Sequence, residues 1–129
     1  MHKEEIDLLL KRSKEFLDAA KERFKKESWD LTCFMAEQAI QLFLKAIVLE
    51  IGGEFPKTHS IRELFAMIGF LTGKELKYDR KSLAFLESAY YNSRYLKFDY
   101  NKEDAENAIE ITEEVIKIVE NVRILKKKK

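Results

Sequence analysis

The chain has 129 residues, with 24 basic and 23 acidic side chains and a formal net charge of +1. This length fits one domain, residues 1–129, that buries roughly two thirds of its unfolded surface. The balanced charge argues against a protein that wraps nucleic acid by bulk electrostatics, although it leaves room for a local basic patch. Charged residues make up 36% of the chain and only two Gln and four Asn occur, which is typical of proteins from hot environments.

Composition also points to helices and to a reducing compartment. There is one proline and there are only four glycines, so architectures built from strands and tight turns lack their usual turn residues. Cys33 is the only cysteine, which excludes an internal disulfide and fits the cytoplasm. No uninterrupted apolar run approaches the ~20 residues that span a bilayer, and the N-terminus lacks a signal-peptide profile. We therefore expect a cytoplasmic protein without a membrane anchor.

The first two predicted helices differ in how many faces are apolar. A helix from about Lys3 to Lys26 carries apolar residues at helical spacing, with charged residues between them. The second, Trp29 to Glu50, is apolar on two opposite faces, so neighbouring elements must enclose it. Ser28 is its expected N-cap through the side-chain oxygen, and the Gly52-Gly53 pair its expected end. The apolar residues of the second helix are Leu31, Phe34, Leu42, Ala46 and Leu49 on one face, and Cys33, Ala36, Ile40, Phe43, Leu44 and Ile47 on the other.

One narrow polar strip interrupts the second helix. Glu37, Gln38, Gln41 and Lys45 lie along it at i, i+1, i+4 and i+8. Polar groups inside a core cost several kcal/mol unless they are hydrogen-bonded, so this strip is a place where a function could reside. A satisfied polar network, a dimer seam, and a site that holds a nucleotide base and phosphate are the open alternatives.

Three further helices complete the pattern. A short third helix follows Ser60, where Glu63 completes a capping box. A fourth runs from about Lys81 to Leu96, and Asn101 with Asp104 opens the last. The sequence therefore predicts an all-α fold. Because short connections between long helices favour antiparallel neighbours, we expect a four-helix up-and-down bundle of helices one, two, four and five, with the short third helix beside it. Residues 126–129 are expected to form a solvated basic tail.

The second helix resembles that of HEPN domains. The stretch Cys33 to Ala46 fits the family pattern aEQAiqlxLKA, and the following residues fit its Pro-x-Thr-His-Ser-Ile connector. Ser93-Arg94-Tyr95 looks like the arginine-tyrosine element of the family's fourth helix, and Asn101 to Ala108 looks like the start of its last. The resemblance covers about Ile6 to Leu125. The connector matches are Pro56, Thr58, His59, Ser60 and Ile61.

The resemblance implies a helical, often dimeric protein that is frequently encoded beside a minimal nucleotidyltransferase in toxin–antitoxin-like pairs. Many HEPN domains are metal-independent ribonucleases with an arginine followed four to six residues later by a histidine. Here no histidine follows Arg94 at that spacing. Asp99 is already ionised near neutral pH, and Tyr100 ionises near pH 10, so neither replaces a histidine easily. The resemblance therefore implies a noncatalytic module that binds nucleotide or RNA. A ribonuclease with a nonstandard site and a purely structural dimerisation unit remain the alternatives.

The candidate ligand-binding residues follow from this reading. Arg94 contacts a phosphate, or else forms a structural ion pair with Glu87 or Glu37. His59 either binds the ligand or closes its own loop by hydrogen bonds to backbone carbonyls. The tyrosines near Arg94 either stack on a base or pack in the core or a dimer interface. No catalytic residue, cofactor or metal site is expected, because two histidines and one cysteine provide too few ligands for zinc. The candidates are Arg94, Lys45, Gln38, Gln41, Glu37, Tyr91, Tyr95 and His59.

Overall fold

The computed structural model describes residues 2–95 and 99–127, with only the backbone described for residues 93–95, 126 and 127. Within these ranges the chain forms five helices and no strand. They are α1 (Lys3–Lys25), α2 (Trp29–Gly52), α3 (Ile61–Thr72), α4 (Arg80–Tyr95) and α5 (Lys102–Lys127). The predicted all-α fold is therefore confirmed, and each predicted helix is present with its ends shifted by one or two residues.

Helix α2 forms the centre of the molecule and contacts each of the other four helices. Most of its apolar side chains are buried, and the enclosed position expected from the sequence is confirmed. On the first predicted face Leu31 remains 42% exposed, and Phe34 and Leu42 are half-buried. Alanines at 36, 39 and 46 are fully buried and let neighbouring helices approach closely. This arrangement places the polar strip of α2 inside the bundle rather than on its surface.

Two hydrogen bonds from neighbouring helices reach the backbone of α2. The Ser13 hydroxyl of α1 donates to the Ala39 carbonyl over 2.6 Å, and the Thr112 hydroxyl of α5 donates to the Ala36 carbonyl over 3.2 Å. Both hydroxyls are buried, so the bonds replace water that they would lose on folding. They fix the register of α1 and α5 against the same segment of α2.

Helix α2 is also the one described helix that is long and apolar enough to cross a membrane by length and composition. The sequence expectation of no such segment rested on uninterrupted apolar runs, and it overlooked that a helix tolerates a few polar positions. In the structure 72% of the most apolar stretch of α2 is buried. Its apolar character is therefore accounted for by the core of the bundle.

Two predictions about helix capping, at the starts of α2 and α3, differ from the structure. Ser28 precedes α2, but its side chain makes no capping hydrogen bond. Its backbone N–H instead donates to the Arg23 carbonyl and closes the end of α1, with Glu27 in a left-handed conformation (φ 59°). At Ser60, the hydroxyl caps the Glu63 N–H as predicted, whereas the Glu63 carboxylate bonds to Thr58. Gly53 ends α2 at φ 80°, as expected for a left-handed cap.

Candidate functional site

The polar strip of α2 forms a buried hydrogen-bonded network. Glu37 is fully buried, and Gln41 and Lys45 are only 5% and 6% exposed. One carboxylate oxygen of Glu37 lies 2.8 Å from the Gln38 amide nitrogen, and the other lies 2.6 Å from the Gln41 amide nitrogen. No described cation lies within ion-pair distance of Glu37. The carboxyl group is therefore held in the core by amide groups and not by a salt bridge with a described residue.

The connector between α2 and α3 brings His59 onto this strip. Pro56 is buried and anchors the connector against the bundle. The Nδ1 atom of His59 lies 2.9 Å from Oε1 of Gln41 and 3.2 Å from Nζ of Lys45. These contacts join residues that are 18 and 14 positions apart in sequence. The histidine thus links the buried strip to the protein surface.

An aromatic wall continues from His59 onto α4. The imidazole ring stacks on the Tyr90 ring, with centroids 5.4 Å apart and planes inclined by 15°. Tyr90 in turn meets Tyr91 edge to face at 5.1 Å, and Tyr91 is 59% exposed. Tyr100 lies in the core against Phe85, which is the core packing that the sequence left open for the tyrosines near Arg94. The aromatic residues therefore divide into a surface group on α4 and a core group.

Glu87 of α4 clamps the start of α3. Its Oε1 atom accepts hydrogen bonds from the Ser60 hydroxyl at 2.8 Å and from the Arg62 backbone N–H at 3.1 Å. The Arg62 guanidinium completes the clamp, with Nη2 3.0 Å from Oε2. Burial alone raises the pKa of Glu87, but the bonds from Arg62 and Ser60 outweigh it and lower the pKa below its ordinary value. The carboxylate is therefore ionised and neutralised within the clamp.

A surface pocket of about 320 Å³ lies between the connector and α4. Lys57 and Thr58 line one side together with His59, and Tyr90 and Tyr91 line the other. Ser60 and the Glu87 carboxylate also contribute to its wall. The pocket thus combines a lysine with aromatic rings, which are groups that contact phosphates and bases in nucleic-acid sites. The Thr58 and Ser60 hydroxyls already donate to Glu63 and Glu87.

Burial shifts the titration of the three ionisable groups behind this pocket. Burial raises the pKa of Glu37 to about 7, against the hydrogen bonds from the two glutamines and the charge of Lys45. Burial lowers the pKa of Lys45, partly offset by Glu37. Burial and the nearby Lys45 charge lower the pKa of His59. His59 is therefore neutral near pH 7, where Glu37 is close to half protonated.

The structure brings most of the predicted site residues together. Glu37, Gln38, Gln41, Lys45 and His59 form one hydrogen-bonded chain, and Tyr91 lies across the pocket from it. The side chains of Arg94 and Tyr95 lie outside the described residues.

The two acids considered as ion-pair partners of Arg94 each bind described residues. Glu87 binds Arg62, and Glu37 binds the glutamine amides. Arg62 was missed by the sequence reasoning, because Glu87 lies 25 residues away and no local pattern joins them. Among the described residues, no group of three or more His, Cys, Asp or Glu side chains is placed to hold a metal ion.

Comparison with known proteins identifies the family. Residues 6–122 match the family model described as the HEPN domain, which covers most of the chain. The chain belongs to the HEPN domain family. The resemblance noted for the second helix, the connector and the last helix is thereby confirmed. No curated protein matches the sequence.

Two solved structures resemble this HEPN chain. One is TT1696 from Thermus thermophilus, with 22% identity, a TM-score of 0.73, and coverage of 91% of this chain and 97% of that chain. The other is ST0689, an archaeal HEPN homologue, with 20% identity, a TM-score of 0.67, and coverage of 90% and 95%. At these identities the likeness establishes the shared fold of the HEPN chain.

Proposed function

We propose that this HEPN domain is a noncatalytic module that binds single-stranded RNA or a nucleotide in the pocket between the connector and α4. The observation that carries the proposal is the junction at His59, where the polar strip of α2 meets the exposed aromatic wall of α4. Tyr91 offers a face for base stacking, and Lys57 offers a cation for a phosphate. The proposed contacts are His59 and Tyr91, which line the pocket, together with Lys57, Arg94 and Tyr95. Glu37, Gln38, Gln41 and Lys45, which the sequence placed in the site, do not line the pocket and support His59 from behind.

Charge within the pocket supports an anionic ligand. Arg62 neutralises the one carboxylate in the wall, so Glu87 does not repel a phosphate. Lys57 is exposed and Lys45 lies behind His59, so both add positive potential to the pocket, against the Glu63 carboxylate that binds Thr58 at its edge. Arg94 lies in α4 one helical turn after Tyr90, and we propose that its guanidinium adds a further phosphate contact.

Binding of a fluorescent eight-nucleotide single-stranded RNA tests the proposal. Tyr91→Ala is expected to weaken binding roughly 10-fold, since stacking contributes about 1–3 kcal/mol per base. Lys57→Ala is expected to weaken binding and to reduce its salt dependence. Phe70→Ala is the matched control, because Phe70 is 87% exposed on α3 and does not line this pocket. Equal affinity of the wild type, Tyr91→Ala and Phe70→Ala proteins would contradict this site.

A second candidate, a metal-independent ribonuclease, is favoured by one observation. No histidine follows Arg94 in sequence, but the fold stacks His59 on Tyr90, one turn before Arg94 in α4. A histidine and an arginine that meet at one phosphate supply proton transfer and charge stabilisation, and this candidate requires the Arg94 side chain to reach His59. Labelled RNA incubated with the protein in EDTA is expected to stay intact. Cleavage that is lost in both Arg94→Ala and His59→Ala would establish the ribonuclease instead.

The proposed assembly is a homodimer that associates in the cytoplasm with a minimal nucleotidyltransferase. This part of the proposal rests on membership of the HEPN family, whose domains are often dimeric. Size-exclusion chromatography with light scattering at micromolar concentration is expected to give twice the 15.3 kDa chain mass. A single 15.3 kDa species would contradict the dimer. Co-expression with a nucleotidyltransferase encoded beside this chain, followed by affinity purification, tests the partnership.

A further inference from the structure

The two contacts of His59 Nδ1 cannot both be hydrogen bonds while the Gln41 carbonyl oxygen faces the ring. A bare Nδ1 accepts from the Lys45 ammonium at 3.2 Å, but then faces the Gln41 carbonyl oxygen at 2.9 Å, acceptor against acceptor. A protonated Nδ1 donates to Gln41, but it then has no lone pair for the Lys45 ammonium, and the 3.2 Å approach becomes a contact between two donors. Gln41 and Lys45 are buried whereas His59 is exposed, so the unfavourable contact lies on the buried side of the ring, where water does not relieve it. The assignment of donors and acceptors in this network therefore has to change.

Turning the Gln41 amide by 180° removes the conflict and puts a requirement on Glu37. The Gln41 NH₂ group at 2.9 Å and the Lys45 ammonium at 3.2 Å then share the one lone pair of a bare His59 Nδ1. The Gln41 carbonyl oxygen now faces Glu37 Oε2 at 2.6 Å, so a proton must sit between the two oxygens. That separation lies within the usual range for O–H···O bonds and is shorter than usual for N–H···O bonds. The geometry fits a protonated, neutral Glu37.

We propose that Glu37 is a proton-binding site coupled through the Gln41 amide to the tautomer of His59. The Nε2 atom of the ring, on the pocket side, then donates a hydrogen bond while Glu37 holds its proton and accepts one after the proton is released. In the protonated state His59 carries its hydrogen on Nε2, and that N–H is available to a ligand. In the ionised state Gln41 turns its NH₂ group back to the Glu37 carboxylate, and its carbonyl oxygen draws the His59 hydrogen to Nδ1. The Lys45 ammonium then gives up its hydrogen bond to Nδ1. His59 exchanges its hydrogen with water, so the net change is the release of one proton from Glu37.

The charges around Glu37 act in opposite directions. Lys45 on its own helix favours the ionised carboxylate, and Glu87 on α4 favours the protonated one. His59 from the connector is neutral near pH 7 and contributes no net charge. Loss of water around the carboxyl group is the largest influence and raises its pKa to about 7. This value agrees with the donor and acceptor assignment, because it places the proton on Glu37 under mildly acidic conditions.

The coupling has a consequence for ligands, which rests on the proposed function. A phosphate or carbonyl oxygen in the pocket accepts a hydrogen bond from His59 Nε2–H only while Glu37 holds its proton. Such a ligand binds with uptake of a proton near and above pH 7. The pocket is thereby a pH-dependent site whose control group lies inside the core and does not touch the ligand.

The relay is tested first without any ligand, by NMR on the full chain labelled with ¹³C and ¹⁵N. The Glu37 side-chain carboxyl carbon is expected to titrate with a midpoint near 7, and the ¹⁵N shifts of His59 to exchange between Nε2–H and Nδ1–H over the same range. In Glu37→Gln, whose side-chain amide mimics the protonated acid, His59 is expected to keep Nε2–H throughout. In Gln41→Met, Glu37 still titrates but the His59 tautomer no longer follows it.

Two outcomes would overturn the proposal. One is a Glu37 carboxyl group that stays ionised from pH 5 to pH 9, with a neutral Lys45 amine in its place. The other is a His59 tautomer that stays constant while Glu37 titrates. Glu15→Gln, at an exposed position of α1, is the matched control and should leave both titrations unchanged.

A second measurement separates the relay from the proposed function. The affinity of the wild type for the eight-nucleotide RNA is expected to fall about 10-fold from pH 6 to pH 8, as proton-linked binding with a pKa near 7 requires. Glu37→Gln should lose this dependence. RNA binding with the same pH profile in both proteins would refute the link between relay and ligand. Absence of RNA binding together with the expected NMR titrations would refute the proposed function alone.

Discussion

Replacing the buried Glu37 carboxyl group by an amide, Glu37→Gln, is expected to stabilise the protein above pH 7 and to change little below pH 4.5. In the fold the pKa of Glu37 is about 7, above its ordinary value of 4.5. Between these values the folded protein holds a proton that the unfolded chain has released. The free energy of unfolding therefore falls as pH rises through this window, and the loss is complete above pH 7. The amide variant has no group there to ionise.

The expected magnitude follows from the two pKa values. A difference of about 2.5 in pKa corresponds to about 3 kcal/mol of stability, at 1.36 kcal/mol for each pKa unit. Because Glu37 is fully buried, solvent screening reduces this figure little. The amide keeps a carbonyl oxygen for Gln38 and offers an N–H to Gln41, so no buried polar group loses its partner. At pH 8 the variant should exceed the wild type by about 3 kcal/mol.

Urea unfolding followed by far-UV circular dichroism, repeated at pH values from about 4.5 to 8.5, measures this difference. Subtracting the wild type from Glu37→Gln cancels the other titrating groups, which the two proteins share. The difference should rise from near zero at pH 4.5 to a plateau above pH 7. Glu15→Gln should give a flat difference near zero. A flat difference for Glu37→Gln, or one that falls with rising pH, would refute a protonated Glu37 in the core.

Three further substitutions test the helix ends and the core by chemical denaturation at pH 7. Glu27→Gly should stabilise the protein by about 0.5–1 kcal/mol, because Glu27 holds a left-handed conformation at φ 59° that glycine adopts without strain. A loss of stability would contradict this account. Glu87→Ala should cost about 2 kcal/mol, since it removes the acceptor of the Arg62 N–H. Arg62→Ala should cost clearly less, because its guanidinium is the more exposed side of the pair, and equal costs would show that the ion pair and not the cap matters. Ala36→Leu should cost at least about 2 kcal/mol by overpacking, and a neutral effect would mean that α2 and α5 are not in close contact there.

The central position of α2 could be predicted because it is a property of one segment. Apolar residues on two opposite faces have a single physical solution, which is enclosure, and the polar strip between them then has to lie inside the bundle. The grouping of Glu37, Gln41 and Lys45 follows from helical spacing alone. In these respects the sequence contained the information that the structure displays.

The partners of that strip could not be predicted, since they depend on where the connector lies. His59 reaches Gln41 across 18 residues, and Glu87 reaches Arg62 across 25, so neither contact leaves a local pattern. The capping predictions for the Ser28 side chain and for Glu63 at Ser60 were wrong where another group takes the hydrogen-bond partner that the cap would use. Thr58 takes the Glu63 carboxylate that a capping box would direct to Ser60, and the turn after α1 uses the Ser28 backbone. Local rules identify the candidates, and tertiary contacts choose among them.

The connector between α2 and α3 is held at both ends before any ligand arrives. Pro56 is buried, His59 is tied to α2 and stacked on α4, and Ser60 is fastened to Glu87. A connector fixed in this way is preorganised, so a bound molecule would lose little affinity to the ordering of a flexible loop. Its backbone amides should accordingly exchange with deuterium at similar rates with and without ligand. A ligand would therefore gain affinity by making new contacts to the connector, and variants that stiffen the connector would add little.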